Sequence, residues 1–289
     1  MIFHTLYCMK TAKNTTKSKQ KDMLRTDLAL EFGLEISSEL ENDIVKQTSI
    51  SITKELSKQI GKPEGDYITI ETSAVLDGNK HEFTRVAEAI ANAIKRMEPS
   101  DNTLIVGLGN PDMTADSLGK RVLRHVMITR HLNSGESDGI PRISGIYPNV
   151  LGVTGIESFD IIKGVASRSK PDSIIVIDSL AGATVGRIAS AFQVSNAGIT
   201  PGSGISNHRT RLDEKSLGVP VISVGVPLVV YASTIISDAF GGNASSYDKS
   251  IGNMVVTPKD IDIFVTDCAH IIARAINIAF FDTDFDGLM

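Results

Sequence analysis

The chain lacks the features that would assign it to a class at once. It has two cysteines in 289 residues, Cys8 and Cys268, in no Cys-x-x-Cys or zinc-like spacing. That excludes a disulfide framework and fits a reducing, cytoplasmic compartment. It has no basic surplus: 29 Lys and Arg face 34 Asp and Glu, a net charge of −5. A nucleic-acid partner or an anionic membrane surface calls for the opposite balance, so neither is expected. The opening "MIFHTLYCMKTAKNTTKSKQKD" carries its positive charges after the short apolar part, the reverse of a secretory signal. Polar and Lys-rich, it reads as a mobile head.

Long hydrophobic runs are also scarce. The longest uncharged stretch, Ser216–Ser237, contains "VPVISVGVPLVVYASTII" at 219–236, which could span a bilayer by length alone. It contains Pro220, Gly225 and Pro227 and many β-branched residues, which predicts a buried strand turning into a helix, with Pro227 opening the helix. The familiar site motifs are missing too. "LIVGLGNPDMTADSLG" at 104–119 has Asp112 where a dinucleotide fingerprint needs its third glycine. No Gly-x-x-x-x-Gly-Lys loop occurs, and the one Gly-x-Ser-x-Gly match, "GESDG" at 135–139, follows no apolar strand run as a nucleophile elbow must. "HEFTR" at His81 has Arg85 in place of a second zinc-binding His, so no cofactor is expected.

What is present is an alternation of apolar strands and helices. "DYITIET" alternates like a strand, and "HEFTRVAEAIANAIKRM" has Phe83, Val86, Ala87, Ile90 and Ile94 at helical spacing. "TLIVGLGN", "SIIVIDSLAG" and "VPVISVGVP" read as buried strands. Helices are expected over "ADSLGKRVLRHVMITRHL", over "IESFDIIKGVASRSKP" and over the last long stretch, which Thr257 and Asp260 would cap. "FQVSNAGITPGSGISNHRTRLD" reads as loop. No linker divides the chain. The pattern predicts an α/β fold of three αβα layers around a mostly parallel sheet. Sites in such sheets form beyond the carboxyl ends of the strands, where Gly107, Gly109, Asn110, Asp178 and Gly225 should gather.

Two acids stand out at that edge, Asp116 and Asp178. Close together they would share a proton, one working as base toward a water and the other as acid. They could instead hold a metal with a His, or be two unrelated acids at strand and helix ends.

The ordered set "RTDLALE", "GLGNPDMTADSLGKRVLRHVMITRHL", "GIYPNVLGVTGIESFDIIKGV", "PDSIIVIDSLAG", "ISNHRTRLDEKSLGVPVISVGVPLVV" and "MVVTPKDIDIFVTDCAHIIARAIN" resembles the germination protease family, the endopeptidases that degrade small acid-soluble spore proteins. The resemblance implies a phosphorylase/hydrolase-like fold related to the hydrogenase maturation endopeptidases. It implies Asp116 and Asp178 as the catalytic acids, or with His208 as metal ligands. It also implies a zymogen: residues 1–27 as a propeptide, 28–289 as one catalytic domain, and self-cleavage between Asp27 and Leu28, because "DLALE" copies the substrate pattern. Asn110, with the cationic His208, Arg209 and Arg211, is then expected to bind substrate. The location would be the cytoplasm of the forespore or spore core, and the assembly a homo-oligomer, a tetramer in relatives. Here "FGGNASSYDKSIGN" replaces a longer family insertion, and Tyr231 stands where relatives often have Asp, which leaves the tetramer and that acid's role open.

Overall fold

The computed structural model describes residues 26–132, 139–201, 210–239, 249–252 and 254–282. Its strands are β1 (Ser38–Glu41), β2 (Lys46–Ile52), β3 (Gly65–Glu71), β4 (Asn102–Gly107), β5 (Arg142–Ile146), β6 (Ser173–Gly182), β7 (Ala191–Ser195), β8 (Val221–Tyr231) and β9 (Val255–Val256). The helices are α1 (Lys54–Ile60), α2 (Phe83–Arg96), α3 (Leu118–Leu123), α4 (Leu151–Thr154), α5 (Ser158–Ser169), α6 (Glu214–Leu217), α7 (Ala232–Ala239), α8 (Lys249–Gly252) and α9 (Ile261–Phe281).

All the strands join one sheet, in the order β1-β2-β3-β7-β8-β6-β4-β5, with β9 paired to the end of β8. The run β8-β6-β4-β5 is parallel, and β1, β2, β3 and β7 continue it antiparallel. The α/β fold with a central sheet flanked by helices is as the sequence implied. The parallel part is confined to one half; β1 and β2 are joined by a short connection that favours antiparallel pairing, whereas β2 and β3 pair antiparallel across the helix α1.

Side-chain alternation sorts the core into two faces. Ile175, Ile177, Val224 and Val226 point toward α2 and α9 and pack with Val86, Ile90, Ile94, Val265, Ile272 and Ile276. Burying a side chain such as Ile90 fully is worth about 1.5–3 kcal/mol. On the other face, Leu104, Val106, Ile174, Val176 and Val221 pack against Ile162 and Ala166 of α5. In the antiparallel half that same face holds Ile50, Ile52 and Tyr67, covered by Ala29 and the partly buried Leu56 and Ile60.

The stretch at 219–236 is a strand turning into a helix, as read. Pro227 lies inside β8, however, and α7 begins only at Ala232. Pro227 is tolerated because the register between β6 and β8 shifts just past it, and its carbonyl accepts from Ala189 N at 2.8 Å. The helix expected over 115–132 stops at Leu123. Its continuation is unwound by tertiary partners: buried Asn277 of α9 donates to the His125 carbonyl and accepts from Met127 N, at 3.0 and 2.9 Å, and Thr129 N and Arg130 N both donate to Ile143 O. "FQVS", read as loop, is β7. α9 starts at Ile261 without a side-chain cap from Asp260. It is 21 residues long and apolar enough to cross a membrane, yet over half of its most apolar window is buried in the protein.

Candidate active site

β4 ends at Gly107, and Leu108 N still reaches β6 by donating to Ile177 O at 2.8 Å. The chain then folds back over itself. Gly109 has φ of 98°, a conformation that disfavours side chains. A Cβ built on Gly109 would also lie 2.7 Å from Asp116 Oδ1. Asp116 sits in a 3-10 turn, Thr114–Asp116, and its Oδ2 accepts from Asn110 N at 2.7 Å. Below this turn Gly107 and Gly119 press backbone to backbone, with no room for a Cβ on either. The glycines of the motif therefore seat Asp116 on the strand end. Asn110 acts through its backbone N–H, while its side chain accepts from Asp112 N at 3.0 Å.

The turn bearing Asp116 packs against both β6 and β8. β6 carries Asp178 one residue past the last contact with β4, 7% exposed, its Oδ1 accepting from Ser179 N at 2.9 Å. The sheet register sets Asp178 opposite Gly225 of β8, and Gly225 opposite Gln193 of β7. Directly paired residues project from the same sheet face, so Asp178 and Gln193 flank a residue without a side chain. They stand roughly two strand spacings, about 10 Å, apart. Leu180, on that face too, leans across Gly225: a Cβ there would come 2.6 Å from Leu180 Cγ.

The segment that the sequence marked for processing lies on this face. Asp27 N donates to Ala181 O at 2.9 Å, and Ala181 N donates back to Asp27 Oδ2 at 2.9 Å. Leu28 is fully buried with Leu180, Ala191 and the partly buried Ile199. Gln193 grips the backbone around it, accepting from Ala29 N at 2.8 Å and donating to Asp27 O at 3.3 Å. Lys62 Nζ donates to the same Asp27 oxygen at 2.5 Å. Glu31 accepts from Ala183 N at 2.9 Å and from the Thr26 hydroxyl, and pairs with Arg187, which also binds Glu71. Burial pushes the Glu31 carboxyl above its ordinary range, against the Thr26 and Ala183 hydrogen bonds and the charges of Arg187 and Lys62. Burial likewise holds the Lys62 ammonium below the usual lysine range, although the Asp27 and Glu31 carboxylates oppose it.

Of the residues expected to bind substrate, His208 and Arg209 lie outside the described residues, and so does most of the "FGGNASSYDKSIGN" stretch. Arg211 pairs with Asp213 at 3.4 Å, and its charge also reaches Lys62 and Tyr67. Among the described residues no three His, Cys, Asp or Glu side chains gather as a metal cluster. Tyr231 is buried at the end of β8, opposite Val255 of β9. Lys62, Gln193 and Arg187 were missed by the sequence reading. The alternation in "FQVS" was the one available signal, since it makes Gln193 a polar residue inside a strand.

Known proteins bear on this arrangement. A family model described as germination protease matches residues 10–242. A germination protease from Caldanaerobacter subterraneus subsp. tengcongensis is 39% identical, covering 89% of this chain and 94% of its own. One from Clostridium tetani is 35% identical over 89% and 95%, and one from Bacillus velezensis 31% over 92% and 96%. Among solved structures, a [NiFe] hydrogenase maturation protease HycI from Thermococcus kodakarensis covers 65% of this chain and 99% of its own, at 15% identity and a TM-score of 0.37. The family match runs through the Asp27 segment, Asp116 and Asp178, and the relatives align over nearly their full length: the chain belongs to the germination protease family.

Proposed function

We propose that this protein is an endopeptidase that begins the breakdown of small acid-soluble spore proteins at germination, in the cytoplasm of the spore core. It is made as a zymogen and cuts itself between Asp27 and Leu28. Asp116 and Asp178 activate a water against the peptide carbonyl, one taking a proton from it and the other delivering one to the leaving amine. The observation that carries this reading is the edge itself: the Asp116 turn packs on the strand bearing Asp178, beside a groove filled by the chain's own Asp-Leu-Ala-Leu-Glu. While that segment stays docked it blocks substrate, which accounts for self-inhibition. Spore proteins freed from DNA would enter as extended chains. A homo-oligomer belongs to the same reading; light scattering of the purified chain tests it, and a monomer removes it.

The test is cleavage of a purified spore protein by wild type, Asp116→Asn and Asp178→Asn, each with and without chelator. Both variants should lose at least about 100-fold in rate while staying folded, and chelator should leave wild type unchanged. Chelator-sensitive activity restored by a divalent metal would turn the same acids into ligands of a metallopeptidase. Binding without any cleavage would make the chain a non-catalytic binding protein.

A further inference from the structure

Two donors converge on one backbone oxygen in the groove. The Asp27 carbonyl, on the acyl side of the Asp27–Leu28 bond, accepts from Lys62 Nζ at 2.5 Å and from Gln193 Nε2 at 3.3 Å. Gln193 uses the other end of its amide on Ala29 N, two residues along. Leu28 is extended and Ala29–Phe32 then turn into a 3-10 helix, so Gln193 takes hold where extended backbone ends, and it reads backbone, not sequence. Gln193 is only 7% exposed, and it stands in one row with Gly225 and Asp178. The Lys62 ammonium lies 5.4 Å from the centre of the Phe32 ring. Donors fixed in a place sheltered from water stabilise developing negative charge far better than the same donors in solvent.

We propose that Lys62 and Gln193 are the carbonyl-binding clamp of this peptidase: they hold and polarise the acyl oxygen of the bond to be cut, first in the chain's own Asp27–Leu28 peptide and then in substrates. The proposal rests on the reading that this bond is the one processed. In the step, water adds through its oxygen to the Asp27 carbonyl carbon, and the former carbonyl oxygen takes the negative charge between Lys62 and Gln193. The C–N bond then breaks. The water oxygen ends in the new Asp27 carboxylate, and its two protons end on the Leu28 nitrogen, which leaves as an ammonium. Residues 28–32 then vacate the groove for substrate.

The experiment follows self-processing of the full chain by mass spectrometry. It also measures cleavage by the matured protein of a synthetic peptide copying residues 24–34, resolved into kcat and KM. Removing one preorganised donor of this type costs about 100- to 1,000-fold in kcat. Lys62→Met should therefore slow both reactions on that scale with KM within about three-fold of wild type, and Gln193→Leu should slow both in the same way. Lys62→Arg, which keeps a cationic donor, should recover part of the rate, and thermal melts of each variant check folding. If wild type cuts and both variants cut within about three-fold of it, the clamp is refuted and the peptidase reading survives. A rise confined to KM also refutes it, leaving a groove that only binds. If wild type cuts neither itself at Asp27–Leu28 nor the peptide, the functional reading fails and takes the clamp with it.

Discussion

The two halves of the sheet contribute different things to one candidate site. The parallel half, β5-β4-β6-β8, brings strand ends that are apolar and backed by glycines, and it delivers Asp116 and Asp178 to one edge. The antiparallel half brings side chains that hold the N-terminal segment: Gln193 on β7, Lys62 in the connection before β3, and Arg187 before β7, which pairs with Glu31 and is itself bound by Glu71 of β3. Gly225, paired with Asp178 on one side and Gln193 on the other, is the seam. A parallel sheet collects functional groups at its carboxyl edge because every strand ends there. An antiparallel extension gives no such edge, but it gives a wide face on which a short segment can lie.

This division can be broken from either side. The largest expected effect is on the gripping half. Leu28→Ala removes a fully buried side chain from the pocket of Leu180 and Ala191, a loss of about 2–5 kcal/mol. The segment should then be nicked by an added protease well before the rest of the chain, at a rate measured against wild type. Wild-type resistance would mean that docking does not depend on the Leu28 pocket. Next, Gly119→Ala forces a Cβ into the Gly107 backbone and strains the seat of Asp116. It should cost about 1–3 kcal/mol, as overpacking does, in a urea melt, while leaving the segment as protected as before. An unchanged melt would show that this contact can relax.

The smallest effect concerns a contact between the end of α3 and α9. His125 and His270 meet edge to face at 4.4 Å between ring centres. Burial first, then His270 and Arg124, hold His125 below its ordinary value. A folded pKa below the unfolded one gives stability that is present above about pH 6.5 and lost as pH falls through the folded value. His125→Gln should therefore flatten part of the drop in Tm between pH 7 and 5. Glu31, pushed up by burial, works in the opposite sense over that window, so the difference between variant and wild type is the readout. Identical slopes would remove His125 from the account.

The parallel half was the legible one. Continuous apolar runs such as "SIIVIDSLAG" can be buried on both faces only as central strands, which gave the fold class and the placement of Asp178. "GLGN" followed by Asp116 pointed to the same edge because glycines mark backbone brought close to something. Legibility failed where a local signal was overruled from afar. The stretch after Leu123 has helical spacing, yet Asn277, 152 residues on from His125, claims its backbone. Pro227 looked like a helix opener, yet a register shift beside β6 accommodates it in a strand.

By itself, then, the sequence determined an α/β chain of the germination protease family, two acids at a strand edge, and an N-terminal Asp-Leu-Ala-Leu-Glu with the look of a substrate. Tertiary structure alone decided what that segment meets. Lys62, Gln193, Ala181 and Arg187 are 35 to 166 residues from their partners in it. No spacing rule connects such residues, because the row that joins Gln193 to Asp178 is a matter of sheet register, which exists only once β8 lies between them.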